Sequence, residues 1–165
     1  MTRTLNLGRS RETAIGEPMA RLVYLSACAI PRGKGHFRAE IADIISACER
    51  NNTAADITGI LIHDRGRFIQ LLEGRPAAVT AVFSAIRRDS RHEQVTILLQ
   101  ETAGHRLMPD WSMAFLNAEE TPLHGNEASG WLDLDSDELI ARLQQARDEL
   151  SVMRLPLAVR RKTSA

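Results

Sequence analysis

Gln70 stands in the middle of the apolar run Arg67-Phe68-Ile69-Gln70-Leu71-Leu72-Glu73-Gly74. In an extended chain Phe68, Gln70 and Leu72 point one way and Ile69 and Leu71 the other, so both faces of this strand read as covered. A side-chain amide there brings two donors and two acceptor lone pairs, and one polar group left unpaired in the interior costs about 1–3 kcal/mol. Nearby backbone can satisfy it, or a polar ligand can. Tyr24, the only tyrosine, lies in the middle of a second such run with Ser26 on the same side, and a buried phenol normally needs a partner. Asn52 extends the helical stripe Ile41, Ile45, Cys48 at i, i+4, i+7, i+11, which sets it under the core-facing side, with Asn51 beside it. An ordinary core tyrosine and a helix C-cap are structural roles that these residues also fill. A phenol and amides brought together on an apolar cleft would suit a planar, uncharged ring with hydrogen-bonding edges.

The same residues make a poor catalytic set: no carboxylate pair, no nucleophile beside a base and no glycine-rich phosphate loop accompanies them. The histidines, His36, His63, His92, His105 and His124, lack metal-ligand spacing, so no metal site is expected. Basic and acidic residues balance at 21 each, which gives no reason to expect nucleic acid or an anionic membrane surface as a partner. No apolar run approaches the ~18 residues of a membrane span, and Cys28 and Cys48 form no C-x-x-C pair. A reducing, cytoplasmic setting is expected.

The elements that must position these side chains follow from periodicity. Residues 1–20 are polar and Arg-rich and read as a flexible extension. Arg21 to Cys28 alternates as a strand, and Pro31-Arg32-Gly33-Lys34-Gly35 turns into a helix with the stripe Phe37, Ile41, Ile44, Ile45, Cys48. Ile57 to His63 and Arg67 to Glu73 predict a hairpin about Asp64-Arg65-Gly66. Pro76 opens a second helix with Val79, Val82, Phe83 and Ile86 on its apolar face. Val95 to Gln100 predicts a fourth strand and Trp111 to Leu116 a fifth, with Trp111, Met113 and Phe115 sharing one side. Residues 117–134 read as a loop. Asp135 and Glu138 resemble a capping box that opens a last helix, striped by Leu139, Leu143, Ala146, Leu150 and Met153, before a basic tail. The order is an α+β, ferredoxin-like βαββαβ sandwich with an added fifth strand and a C-terminal helical extension. Its expected division is 1–20, 21–116 and 117–165.

In this order and spacing the chain resembles the BLUF domains, flavin-based sensors of blue light. The matching stretches are Leu22-Val23-Tyr24-Leu25-Ser26, Asn51-Asn52 followed by Ile57-Thr58-Gly59-Ile60-Leu61, and Gly66 through Gly74. They continue with Arg88-Asp89-Ser90-Arg91-His92 and Pro109-Asp110-Trp111-Ser112-Met113. The resemblance implies a non-covalently bound flavin, FAD first, with FMN or riboflavin as alternatives, lying between the first two helices. Asn52, with Asn51 nearby, would hold the pyrimidine edge, and Gln70 would bridge Tyr24 to the ring. Asp89, Arg91 and His92 match positions near the ribityl and phosphate end, and Trp111 and Met113 match a light-responsive pair. Ser26 would stand behind the phenol. Ala85 occurs where some members carry a basic residue, Cys48 where a small polar one is common, and the segment from Pro31 to Phe37 is longer than usual.

The implied mechanism is proton-coupled electron transfer from Tyr24 to the excited flavin, which leaves Gln70 turned or tautomerised. An amide suits this because, unlike an ionised glutamate or a leucine, it is both donor and acceptor. That makes the chain a switch rather than an enzyme. Output is expected through the fifth strand and the terminal helix, whose apolar stripe would cap the sheet, self-associate or bind a separate effector protein. A small enzyme of acylphosphatase type and a ligand-free interaction module share the fold class and remain the alternatives.

Overall fold

Both faces of one sheet are apolar, and each is covered by helices. The computed structural model describes residues 18–33, 35–123, 130–152 and 159–160. In chain order the elements are β1 (Met19–Cys28), α1 (His36–Ala54), β2 (Thr58–Asp64), β3 (Arg67–Gly74), α2 (Pro76–Ile86), β4 (His92–Ala103) and β5 (Trp111–Asn117). A 3-10 turn (Trp131–Asp133), α3 (Ser136–Val152) and β6 (Val159–Arg160) complete them. The strands lie in the order β4-β1-β3-β2-β5-β6. β5 runs parallel to β2, and the other neighbouring pairs are antiparallel. The ferredoxin-like core and the fifth strand are therefore present, with a short sixth at the edge.

Alternation along the central strands divides the interior into two clusters. Leu22, Tyr24, Phe68 and Leu72 join Ile41, Ile44 and Ile45 of α1 and Val79 and Phe83 of α2. Val23, Leu25, Ile69 and Leu71 face the opposite way, against Leu139, Leu143, Ala146 and Leu150 of α3. The terminal helix thus caps the face of the sheet that α1 and α2 leave free. Its start is the expected capping box: Asp135 N donates to Glu138 Oε2 at 3.0 Å, and Glu138 N donates to Asp135 Oδ1 at 2.9 Å. The β2–β3 turn uses Arg65 and Gly66, with φ of 47° and 75°. Two positive φ values suit the right-handed twist of a tight hairpin.

Four differences from the sequence reading bear on the site. β1 begins at Met19, inside the expected extension, while residues 1–17 lie outside the described residues. β4 begins at His92 rather than Val95. A bulge follows at once: Gln94 has φ 50°, and the β1–β4 register shifts between Leu25 and Ala27, opposite Ser26. β5 also shifts register between Trp111 and Met113 where it pairs with β6, a strand within the basic tail that periodicity does not predict. Met153 lies outside the described residues.

Candidate functional site

Tyr24 and Gln70 are direct cross-strand partners in the β1–β3 register, so their side chains rise side by side from the sheet. Both are buried, and the Tyr24 hydroxyl donates a short hydrogen bond to Gln70 Oε1. The other end of the amide, Nε2, donates to Met113 Sδ of β5 at 3.4 Å. A thioether is a weak acceptor and takes one of two amide protons. Burial raises the Tyr24 pKa well above that of an ordinary phenol, helped by Cys48 and Asp89 nearby. Tyr24 therefore holds its proton and aims it at Gln70.

Asn52 closes the site from α1. It is buried, and its Nδ2 donates to the Ser112 carbonyl at 3.1 Å while its own carbonyl accepts from Ile57 N at 2.8 Å. That bond uses one of the amide's two protons, and the group also carries an Oδ1 acceptor. An acceptor beside a donor matches the C=O/N–H edge of an imide ring. With the apolar α1–α2 cluster beside it, this donor set fits a flavin. Asn51 is exposed and takes no part in the group.

His92 stands beside the phenol. Beginning β4 at His92 sets it opposite Cys28, and alternation then puts it on the side of Tyr24 and Ser26. Its Nδ1 lies 3.0 Å from Ser26 Oγ and 3.5 Å from Tyr24 Oη, and its ring packs 4.9 Å from that of Phe68. Its ring joins the polar group around the phenol, within the electrostatic reach of Asp89 and Arg91. Burial lowers its pKa to about 4, against a raising effect of Asp89, so it is neutral near pH 7. Ser26 reaches the phenol through His92.

Asp89 and Arg91 do lie at a cavity. It has a volume of about 650 Å³ at the start of α1 and the end of α2, and its walls include His36, Glu40, Arg88, Asp89, Ser90 and Arg91. Arg91 Nη2 donates to Asp89 Oδ2 at 2.6 Å, and Nη1 to Asp43 Oδ2 at 2.9 Å. These bonds hold Asp89 below the usual carboxylate range and Arg91 above its own. Ala85 lines the same cavity. Cys48 is partly buried against the α1–α2 cluster, and burial pushes its thiol up to about 11.

Trp111 and Met113 do not share a side, contrary to simple alternation. Met113 packs with Tyr24 and Phe68, whereas Trp111 belongs to the cluster under α3. The register shift between them is the cause. Ser112, which the sequence reading passed over, supplies the Asn52 acceptor, and its hydroxyl accepts from Thr53 Oγ1 at 3.3 Å. A backbone carbonyl leaves no signal in residue type. Among the described residues no group of His, Cys, Asp and Glu could hold a metal, and no helix is long and apolar enough to cross a membrane.

The family model described as sensors of blue-light using FAD, BLUF, matches residues 19–114. The photoactivated adenylate cyclase subunit beta of Euglena gracilis is 31% identical over 102 residues, 61% of this chain and 11% of that protein. The blue light- and temperature-regulated antirepressor BluF of Escherichia coli is 37% identical over 67 residues, 41% of this chain and 17% of that protein. The chain thus spans a small part of these curated relatives. Among solved structures, the dark state of the BLUF protein BlrB superposes with a TM-score of 0.67 at 28% identity, covering 83% of this chain and 98% of that one. A bacterial light-regulated adenylyl cyclase gives 0.58 at 27% identity, covering 81% and 35%.

Proposed function

The chain belongs to the BLUF family, sensors of blue light that bind flavin, and on that footing we propose that Tyr24 and Gln70 convert light absorption into a changed hydrogen-bond pattern felt by β5. The observation that carries this reading is the buried, uncharged chain Tyr24 Oη–H to Gln70 Oε1 and Gln70 Nε2–H to Met113 Sδ. When bound, the flavin would supply blue-light absorption and an excited state able to draw an electron from a nearby phenol. Asn52 would hold the imide edge of the ring, and the apolar side chains of α1 and α2 its flanks. The cavity beside Asp89 and Arg91 supports the longer cofactor, FAD, which the family description also names.

Tyr24 keeps its proton in the dark and presents it to Gln70. Loss of an electron makes any phenol strongly acidic, and Gln70 Oε1 is the atom placed to receive that proton. An amide that turns, or changes tautomer, exchanges its donor for its acceptor. Nε2–H is then no longer offered to Met113, so β5 loses a contact. Trp111, two residues earlier, packs under α3. β5 therefore has one residue against the switch and another against the terminal helix, a route by which a bistable element could be biased. The chain acts as a switch rather than as a catalyst, and a separate effector protein or a second copy of the chain receives the signal.

Purification of the chain tests the reading. It should be yellow, and blue light should shift its flavin absorbance reversibly to the red. A colourless protein that takes up no added FAD or FMN would instead favour a ligand-free module.

A further inference from the structure

The Tyr24 hydroxyl has one proton to give, and where it points fixes which way round Gln70 must sit. Gln70 Oε1 receives it. A competing atom stands across from it: His92 Nδ1, 3.5 Å from Tyr24 Oη. An imidazole nitrogen is a better proton acceptor than an amide oxygen, so a vacant Nδ1 at this place would draw the phenol proton away from Gln70. It is not vacant. Ser26 Oγ lies 3.0 Å from the same nitrogen, closer than Tyr24, and both Ser26 and His92 are buried.

Ser26 is bonded to Nδ1 in either neutral tautomer, and its positioning role belongs to the one in which Nδ1 carries the lone pair. If Nδ1 lacks a proton, the Ser26 hydroxyl donates to it; if Nδ1 carries one, it donates to Ser26 Oγ. In both cases the lone pair that could take the Tyr24 proton is used or absent. The bulge at Gln94 makes this geometry, because the register of β4 skips Ser26 and leaves it to a diagonal neighbour on the next strand. We propose that Ser26 is a positioning residue: by occupying His92 Nδ1 it leaves Gln70 as the sole acceptor for the Tyr24 proton. The inference rests on the sensor reading above and adds what sets the direction of that hydrogen bond.

Tyr24 is the only tyrosine, so a ¹³C label at the tyrosine ζ carbon gives one resonance that reports its hydroxyl bonding in the dark, flavin-loaded full chain. Ser26→Ala removes the hydroxyl with little change in volume. The tyrosine resonance should move, and the yield of the red-shifted state per photon should fall several-fold. The double variant Ser26→Ala with His92→Phe removes the competing nitrogen but keeps a ring against Phe68. Resonance and yield should both return toward wild type, a rescue that a packing role for Ser26 does not produce. An unchanged resonance in Ser26→Ala, or a double variant no better than the single one, overturns the proposal. A wild-type chain without any red shift would remove the sensor reading instead; the tyrosine resonance needs no light and would still decide the role of Ser26.

Discussion

Gln70 and Tyr24 each carry a group that the other satisfies, so their variants separate folding from switching. Gln70→Leu keeps a similar volume and leaves the Tyr24 hydroxyl without its acceptor, at a cost of about 1–3 kcal/mol. Flavin should stay bound through Asn52 and the apolar cleft, while the light-induced red shift disappears. Tyr24→Phe should behave likewise, folded and yellow but without the shifted state. Steady-state absorbance before and after illumination checks both, and a normal shift in either variant would take that residue out of the mechanism. His92 gives a pH prediction. Its folded pKa of about 4 lies below the ordinary value of 6.5, so between these values the unfolded chain binds the extra proton. Stability must then fall as pH drops from about 6.5 to about 4, by at most roughly 3 kcal/mol from this residue. Urea unfolding at pH 7 and pH 4.5 should show a smaller loss in His92→Phe than in the wild type. Equal losses would mean that His92 is not held neutral by burial.

At the scale of elements, two features seat β5 against the rest of the sheet. Gly59 of β2 leaves no room for a side chain: a Cβ there would stand 2.0 Å from the Leu71 carbonyl oxygen of β3 and 3.3 Å from Met113 Cε. Ahead of β5, the fully buried Glu73 carboxylate accepts from Arg21 Nε at 2.9 Å, from Leu107 N at 2.9 Å and from Met108 N at 3.1 Å. The segment leading into Trp111 is thereby tied to the centre of the sheet. Glu73→Ala leaves the Arg21 guanidinium buried with the partly exposed Glu101 carboxylate and the His105 carbonyl as its remaining partners. Breaking a buried pair in this way should cost about 3–5 kcal/mol, read from the urea midpoint. A loss within ~0.5 kcal/mol, as for an ordinary surface substitution, would show that the knot does not hold this segment.

Across the whole molecule the sheet joins the side of Tyr24 and Met113 to a side covered by α3. Leu139, Leu143 and Leu150 are buried against it, each worth roughly 1.5–3 kcal/mol when fully buried. Trp131 Nε1 adds a bond to Asp64 Oδ2 at 2.8 Å, which fastens the approach to α3 onto the β2–β3 hairpin. If turning Gln70 releases Met113, the strain must reach Trp111 and the α3 contacts through β5. Hydrogen exchange in dark and light should then quicken within residues 111–123 and 130–152. Changes confined to the neighbourhood of Gln70 would place the output elsewhere.

Local periodicity was enough to identify β1 to β5 and the three helices, the two faces of the central strands, and Asn52 on the core-facing stripe of α1, while the meeting of Tyr24, Gln70 and Asn52 followed from the fold that this order implies. The elements and their faces follow from a repeat of 2 or 3.6 residues that the chain carries in itself. The capping box at Asp135 and Glu138 was legible for the same reason. Bulges break that periodicity, and they depend on pairing with distant strands. One at Gln94 brings His92 to Ser26; the shift between Trp111 and Met113 sends those two side chains to opposite faces. The stripe on α3 was compatible with a cap, a second copy or a partner, because an amphipathic helix does not say which apolar surface will cover it. The tertiary structure decided for the sheet, whose second face was still bare after α1 and α2 had covered the first.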